Sequence, residues 1–258
     1  MRKSELKAAN VGSRVARERE FHDEESAVFK WARRQLDRAT ASPTWSWEAS
    51  DFFNASDKIV LDYGCGTGAI ALRLLEAGPE RVVCFDLSEV RTAKARSAIL
   101  ARGDDVDADF LTADGHRTPF ADHTFDLIIG SAVLHHLDLE VALGEVRRVL
   151  KPGGRAVFKE PIAHNPVLRV GRALTPFART PDEQPLTTTD WQLCASTFFP
   201  FRHYERELLT TLFIPIALLL PRIWQRALMR RLEPLDKWLL NRVSFMRKYA
   251  HVTILIFE

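Results

Sequence analysis

Cysteine is scarce in this chain of 258 residues. The three cysteines, Cys65, Cys84 and Cys194, are scattered, and no Cys-x-x-Cys pair occurs. This pattern excludes the disulfide framework of a small secreted domain, and it shows no metal-ligand spacing. We therefore expect reduced thiols in a cytoplasmic protein without a bound metal.

Long apolar runs are also rare. The first 20 residues are charged and contain no apolar stretch, so we expect no secretory signal peptide. The longest mostly apolar run, Leu208 to Leu220, has 13 residues with Pro215 inside it. A membrane-spanning helix needs about 20 residues, so this run is too short to cross a bilayer alone.

The chain also lacks a large net charge, because its formal net charge is only +2. The overall balance therefore gives no strong attraction to nucleic acid, and we expect no nucleic-acid partner. With 46% apolar and 27% charged residues, the composition is that of a globular protein. The length suits one large α/β domain, or a core with a modest lid.

Strands and helices alternate between residues 58 and 160. The predicted strands cover residues 58–62, 81–86, 109–113, 125–130 and 155–160, and the predicted helices cover 69–77, 88–101 and 139–150. This alternation predicts parallel βαβ units. A final strand over 251–257, after a long excursion, fits a seven-stranded sheet whose last strand is antiparallel and lies at the edge.

This pattern predicts that the chain is divided into four segments. We expect an N-terminal helical cap over residues 1–50, which includes an amphipathic helix over 24–39, and a core over 51–165. A lid of helices over 166–250 would include one core strand near 200–206, and residues 251–258 would supply the last strand. Residues 165–185 are rich in Pro, Arg and Thr, which predicts an inserted loop or lid.

A glycine-rich turn follows the first strand. Gly64, Gly66 and Gly68 stand at alternate positions between a buried strand and a helix. Glycine lets the backbone turn sharply and approach a ligand at the helix N-terminus. The spacing is G-x-G-x-G, which fits a dinucleotide site less well than G-x-G-x-x-G would.

Acidic residues end or follow three of the predicted strands. These are Asp62, Asp86 and Asp114, and Asp86 comes 18 residues after Gly68. Ligands of doubly wound folds bind at the carboxyl ends of the strands, where an acid can accept ribose hydroxyls. The three acids therefore favour a nucleoside site.

Five segments together resemble class I S-adenosylmethionine-dependent methyltransferases. They are residues 60–68, 85–88, 112–115, 125–128 and 150–154. The order and spacing resemble that family throughout residues 58–160, about 40% of the chain. The resemblance implies a Rossmann-like doubly wound fold, S-adenosyl-L-methionine as cofactor and methyl transfer as the reaction.

The resemblance also implies a role for each matching residue. Asp62 and the turn formed by Gly64, Cys65, Gly66 and Gly68 would hold the methionine end of the cofactor. Asp86 would bind the ribose, and Asp114 would accept from adenine N6. The ring would lie beside Leu87, Ala113 and Gly115, and Ser131 would border the sulfonium.

Candidate proton acceptors follow the fourth and fifth strands. His135 and His136 lie at the mouth of the crevice, and histidine titrates near neutral pH. Methyl transfer needs a base only when the acceptor must lose a proton, so either histidine could instead cap a helix or pack beside the cofactor. Glu160 ends the fifth strand, where it could contact substrate or pair with an arginine such as Arg169.

Three further residues are substrate-binding candidates. His22 precedes the first core strand in a region that in this family often closes over the cofactor. His164 follows the fifth strand, and Arg179 lies in the inserted loop, where it could bind an acidic or hydroxylated group. A solvated surface histidine is the simpler interpretation of His22, and a salt-bridged loop is the simpler interpretation of the stretch around Arg179.

The C-terminal region combines apolar and basic residues. Residues 201–258 contain ten Lys and Arg against five Asp and Glu, and Arg222, Arg226 and Arg230 share one helical face. Residues 208–231 could cover a pocket as a lid or contact an anionic membrane from the cytoplasmic side. Both interpretations favour a small hydrophobic acceptor such as a lipid, quinone or secondary metabolite.

Three other functions use the same fold. Non-methylating chemistry with the same cofactor stays open, whereas the intact set of acids and glycines disfavours a non-catalytic binding protein. Methylation of a nucleic-acid base is weaker, because Ser131-Ala-Val-Leu134 stands where an Asn/Asp-Pro-Pro-aromatic run would be expected. The sequence does not indicate an oligomeric state.

Overall fold

The computed structural model describes residues 3–23, 54–103, 107–175, 180, 182–217 and 219–258. The amphipathic helix predicted over residues 24–39 and the substrate candidate Arg179 lie outside these residues.

A single sheet of seven strands organises the described chain. The strands are β1 (Ile59–Tyr63), β2 (Arg81–Asp86), β3 (Ala108–Thr112), β4 (Phe125–Ser131), β5 (Leu150–Pro161), β6 (Phe201–Arg206) and β7 (Val252–Phe257). Their order is β3-β2-β1-β4-β5-β7-β6, and β7 runs antiparallel to both of its neighbours. The predicted seven-stranded fold with an antiparallel last strand is confirmed.

The last strand does not form the edge that the sequence pattern predicted. β7 lies between β5 and β6, and all six of its residues are buried. β6 alternates between more and less exposed residues over most of its length, as an edge strand with one wet face does. The mostly apolar sequence of β7 therefore fits an interior position. The strand runs in the direction opposite to β5 and β6, so both pairings are antiparallel.

Helices surround the sheet and fill the long excursion before β7. They are α1 (Lys3–Asp23), α2 (Ala69–Leu75), α3 (Glu89–Leu100), α4 (Leu139–Val149), α5 (Pro166–Leu174), α6 (Asp190–Thr197), α7 (Leu209–Leu212), α8 (Ile214–Ala217) and α9 (Arg222–Arg242). Short 3₁₀ helices cover Leu134–His136 and Ser244–Tyr249. Two large apolar clusters, built on alternate residues of the central strands, pack around the sheet.

Side-chain caps fix where three of these helices begin. The Arg91 amide donates to Ser88 Oγ at 3.1 Å, which makes Ser88 the N-cap of α3. Asp138 caps α4 in the same way, and Asn165 caps α5. α5 begins within the stretch predicted to be an inserted loop or lid, and the chain there is helical over residues 166–174; Asn165 before Pro166 is the start signal.

β5 is longer than the sequence predicted. The strand was predicted to begin at residue 155, but β5 begins at Leu150, which pairs with Phe125. Leu127 then pairs with Arg155, so an irregularity in the register absorbs residues 151–154. Glycine and proline inside a strand often mark such a bulge.

Candidate cofactor and acceptor site

The turn between β1 and α2 holds all three of its glycines in left-handed backbone conformations. Their φ values are +71° at Gly64, +54° at Gly66 and +86° at Gly68. A Cβ at Gly64 would come within 2.5 Å of Val133 Cγ2, whereas one at Gly66 would meet nothing within 4 Å. Gly64 is therefore required by packing, and Gly66 faces open space that a ligand could occupy.

Asp86 joins this turn to the end of β2. One carboxylate oxygen accepts from the Gly66 amide and the other from the Ser88 amide, each at 2.9 Å. A carboxylate oxygen can accept a second hydrogen bond. Asp86 therefore fixes the turn and keeps lone pairs for a ligand hydroxyl.

Asp62, at the end of β1, is a fully buried carboxylate that is only half satisfied. The Ala71 amide donates to Oδ2 at 3.0 Å, while Oδ1 is buried without a hydrogen-bond partner. Burial raises the pKa of Asp62 to about 7; the Ala71 amide opposes the rise, and the nearby Asp86 charge adds to it. A cation beside Oδ1 would satisfy this group.

Asp114 follows β3 and is held by His116. The His116 amide and ring Nδ1 both reach Asp114 Oδ1, at 2.9 and 2.7 Å, and the Asp138 amide donates to His116 Nε2. The ring therefore carries its proton on Nδ1. Burial alone would raise the pKa of Asp114, but the His116 hydrogen bonds outweigh it and lower the pKa.

The remaining cofactor candidates line the same edge of the sheet. Leu87, Ala113 and Ser131 are half-buried at the ends of β2, β3 and β4, whereas Cys65 and Gly115 are buried. A Cβ at Gly115 would come within 2.9 Å of the Tyr63 hydroxyl, which donates to the Gly115 carbonyl. The structure thus brings every predicted cofactor residue to the carboxyl ends of β1 to β4.

His135 and Glu160 form a buried pair on the other side of the crevice. The Glu160 carboxylate accepts from the amides of Val133 and Leu134, each at 2.9 Å, and from His135 Nδ1 at 2.7 Å. Burial and the neighbouring His136 lower the pKa of His135 despite the pairing with Glu160. The partner of Glu160 is thus a histidine, not the arginine considered from the sequence.

Helix α1 packs beside His135 and His136 and contacts the turn that follows β4. Arg14 Nε donates to the His136 carbonyl at 2.8 Å, and Arg17 forms a two-bonded pair with Asp182 at 2.6 and 2.8 Å. Glu18 is buried, with its Oε2 3.0 Å from His136 Nδ1. Burial would raise the pKa of Glu18, but contacts with His136 and other polar groups hold it well below its usual range.

The substrate candidates are not all brought together. His22 lies beside Glu18 and His136, with its ring 5.3 Å from the His136 ring. His164 is half-buried in the connection between β5 and α5, and no contact between it and the His22 group was found in the described chain.

Comparison with known proteins identifies the central part of the chain. Residues 61–158 match the family model described as "Methyltransferase domain". This segment includes Asp62, the glycine turn, Asp86, Asp114, His135 and His136. The central part of the chain is therefore similar to methyltransferase domains, as the sequence resemblance implied.

Curated relatives share this domain but not their full length. A demethylmenaquinone methyltransferase of Thermus thermophilus is 38% identical over 136 residues, which are 52% of this chain and 55% of the relative. A 27-O-demethylrifamycin SV methyltransferase of Amycolatopsis mediterranei is 31% identical over 136 residues, 52% and 47% of the two chains. The chain therefore spans about half the length of the curated relatives it matches.

The fold of the methyltransferase domain recurs in solved structures. An S-adenosylmethionine-dependent methyltransferase from Mesorhizobium loti superposes with a TM-score of 0.53 at 20% identity, over 80% of this chain and 93% of the other. At that identity the likeness concerns the fold alone.

Sequence reasoning missed two residues that the structure places beside the candidate site, Glu18 and His116. Glu18 has no motif around it, and His116 stands two residues after Asp114 without a recognisable role in the sequence. Glu18 lies 118 residues before His136, so only the docking of α1 shows their contact. For His116, the Asp-x-His spacing was the available signal.

Proposed function

We propose that this protein transfers a methyl group from S-adenosylmethionine to a small hydrophobic acceptor. One observation carries the proposal: the carboxylates of Asp62, Asp86 and Asp114 and the glycine turn meet at a single edge of the sheet. Ligands of doubly wound folds bind at this edge.

The residues present fit the chemical groups of that cofactor. Asp62 Oδ1, buried and unpartnered, would accept the ammonium of the methionine end beside the space at Gly66. Asp86 would take the ribose hydroxyls on its spare lone pairs. Both His116 bonds fall on Asp114 Oδ1, so Oδ2 would accept the adenine amino group.

Methyl transfer from this cofactor requires no covalent intermediate on the protein. The bound cofactor supplies an activated sulfonium methyl, and the chain holds the acceptor in line with it while excluding water. Where the acceptor must lose a proton, His135 is suited to take it at Nε2, because Glu160 holds Nδ1. Glu160 then acts by orienting His135.

The hydrophobic acceptor is supported by two observations. Two relatives are named as methyltransferases of demethylmenaquinone and of 27-O-demethylrifamycin SV, and a hydrophobic acceptor is consistent with those names. In this chain, α7 to α9 form an apolar cluster of their own around Ala217, Met229 and Leu232, separate from the two clusters that pack around the sheet. We propose that this lid covers the acceptor.

Calorimetric titration tests the cofactor site first. The protein should bind S-adenosylmethionine and S-adenosylhomocysteine, and Asp86→Ala should weaken both strongly because the ribose loses its acceptor. Asp107→Ala is the matched control, since Asp107 is an exposed carboxylate paired with Arg81. Unchanged affinity in Asp86→Ala would refute the ribose assignment.

Product analysis then tests the reaction. The protein is incubated with methyl-labelled S-adenosylmethionine and lipid, quinone and secondary-metabolite extracts, followed by mass spectrometry. Labelled product with equal release of S-adenosylhomocysteine is the expected result. A changed product without that release would favour non-methylating chemistry, and label on nucleic acid offered as a competitor would overturn the small-molecule acceptor.

A further inference from the structure

Three ligand-bearing side chains meet where α1 crosses the turn after β4. Glu18 and His22 are one helical turn apart on α1, and His136 ends the 3₁₀ helix that follows β4. Glu18 Oε2 lies 3.0 Å from His136 Nδ1 and 3.5 Å from His22 Nε2. In the described part of the chain, this is the one group of three His, Cys, Asp or Glu residues with ligand atoms within 4.8 Å of one another.

The atoms that face this group are buried but unsatisfied. Glu18 Oε2 and His136 Nδ1 are close, yet the contact lacks the alignment of a hydrogen bond, and neither atom has another partner. His22 turns its Nε2 toward Glu18 Oε2, and this nitrogen is the third atom that could bind a ligand between them. Buried polar atoms are normally paired, so two orphans that face each other, with a second imidazole nitrogen beside them, point to a missing ligand.

We infer that Glu18, His22 and His136 bind a divalent transition metal ion such as Zn²⁺. Two imidazoles and one carboxylate are a donor set of catalytic zinc sites. With metal–ligand bonds of about 2.0–2.1 Å, tetrahedral geometry places ligand atoms about 3.3 Å apart. The separations of 3.0 and 3.5 Å lie on either side of that value.

Neighbouring groups hold the ligands in place. The Thr180 hydroxyl donates to Glu18 Oε1, which leaves Oε2 for the ion. Arg14 binds the backbone carbonyl of His136 and so fixes the turn against α1. Hydrogen bonds of this kind orient ligands in metal sites. Three protein ligands also leave one position of a tetrahedral ion for water or a substrate oxygen.

The sequence spacing did not show this group, because His136 stands 114 residues after His22. The competing explanation is an ion pair between Glu18 and a protonated histidine. That arrangement would need no metal, so binding measurements distinguish the two.

The test uses the tag-free full chain, stripped with a chelator and dialysed. Calorimetry should show one Zn²⁺ per chain, and Co²⁺ should give the absorption bands of a tetrahedral ion. His22→Asn and Glu18→Gln should each weaken Zn²⁺ binding by at least the roughly 10–100-fold that follows loss of an outer-shell partner. His203→Asn is the matched control, because it removes a histidine paired with Glu205 at 2.6 Å outside the group.

Circular dichroism checks that each variant folds. If Glu18→Gln does not fold, His136→Asn replaces it as the test variant. Absence of Zn²⁺ binding to the wild-type chain, or an equal loss in His203→Asn, would overturn the metal site. S-adenosylmethionine is titrated separately into the metal-free protein. Loss of that binding alone would count against the proposed function and leave the metal site standing.

Discussion

At the scale of the residue, the buried carboxyl of Asp62 would make the proposed cofactor site sensitive to pH. Burial raises its pKa to about 7, so the folded, unliganded protein favours the protonated form. Its contribution to the free energy of unfolding is therefore full below the ordinary pKa of about 4 and is lost as pH rises through about 7. A cofactor ammonium reverses the preference, because it stabilises the carboxylate.

We predict that S-adenosylmethionine binds more weakly as pH falls below about 7 and that binding there releases a proton. Calorimetry in buffers of different ionisation enthalpy measures both effects. Asp62→Asn should remove the proton release and flatten the pH dependence, besides weakening binding. Proton release that persists in Asp62→Asn would show that another group titrates.

Alanine substitutions at two glycines should have opposite effects on stability, because Gly64 has a left-handed backbone conformation and Gly144 lies within helix α4. Gly64→Ala should destabilise the protein by at least about 1–3 kcal/mol, because φ is +71° and the new Cβ would meet Val133. Gly144, exposed within α4, has open space around it, so Gly144→Ala should stabilise by about 0.5–1 kcal/mol. Urea unfolding measures both. Equal effects at the two positions would contradict the packing argument.

At the scale of the element, the sequence predicted features that depend on residues close together in the chain, but it did not predict contacts between distant segments. Ser88 caps α3 through a residue three positions away, so the helix start was readable locally. The carboxyl ends of parallel strands must share an edge, which placed Asp62, Asp86 and Asp114 together. The interior position of β7 and the contact of Glu18 with His136 arise from long-range docking, which local patterns do not record.

Asp236 ties the lid elements together. This buried carboxylate on α9 accepts from the amides of Leu209 and Thr210, at 2.6 and 3.2 Å, at the start of α7. Asp236→Ala should cost about 1–3 kcal/mol of stability, because buried amides lose their acceptor. We expect it to raise the KM for the acceptor while leaving the affinity for S-adenosylmethionine unchanged.

Unfolding, acceptor kinetics and cofactor titration measure these three quantities. Lys237→Ala is the neighbouring control, since Lys237 is half-exposed and pairs with Glu233 on the surface of α9. If Asp236→Ala weakened cofactor binding as much as acceptor binding, the lid would not be a separate acceptor element.

At the scale of the whole molecule, one surface combines exposed apolar and basic side chains. Among the described helices, none is long and apolar enough to cross a membrane. From α8 to the start of α9, however, Leu219, Ile223 and Trp224 are 84%, 75% and 63% exposed. Arg222 and Arg226 lie in the same segment. Clustered exposure of this kind marks interaction surfaces, and apolar residues beside arginines suit an anionic lipid surface.

We predict that the protein sediments with vesicles that contain anionic lipid and that binding falls as salt rises, because surface charges are screened. Leu219→Ser with Trp224→Ser should reduce binding through lost apolar insertion, and Arg222→Gln with Arg226→Gln should reduce its salt dependence. Phe199→Ser is the control, as Phe199 is 94% exposed on a different part of the chain. Equal binding to neutral vesicles would contradict the role of the arginines, and an equal loss in Phe199→Ser would contradict the assignment of the contact to this surface.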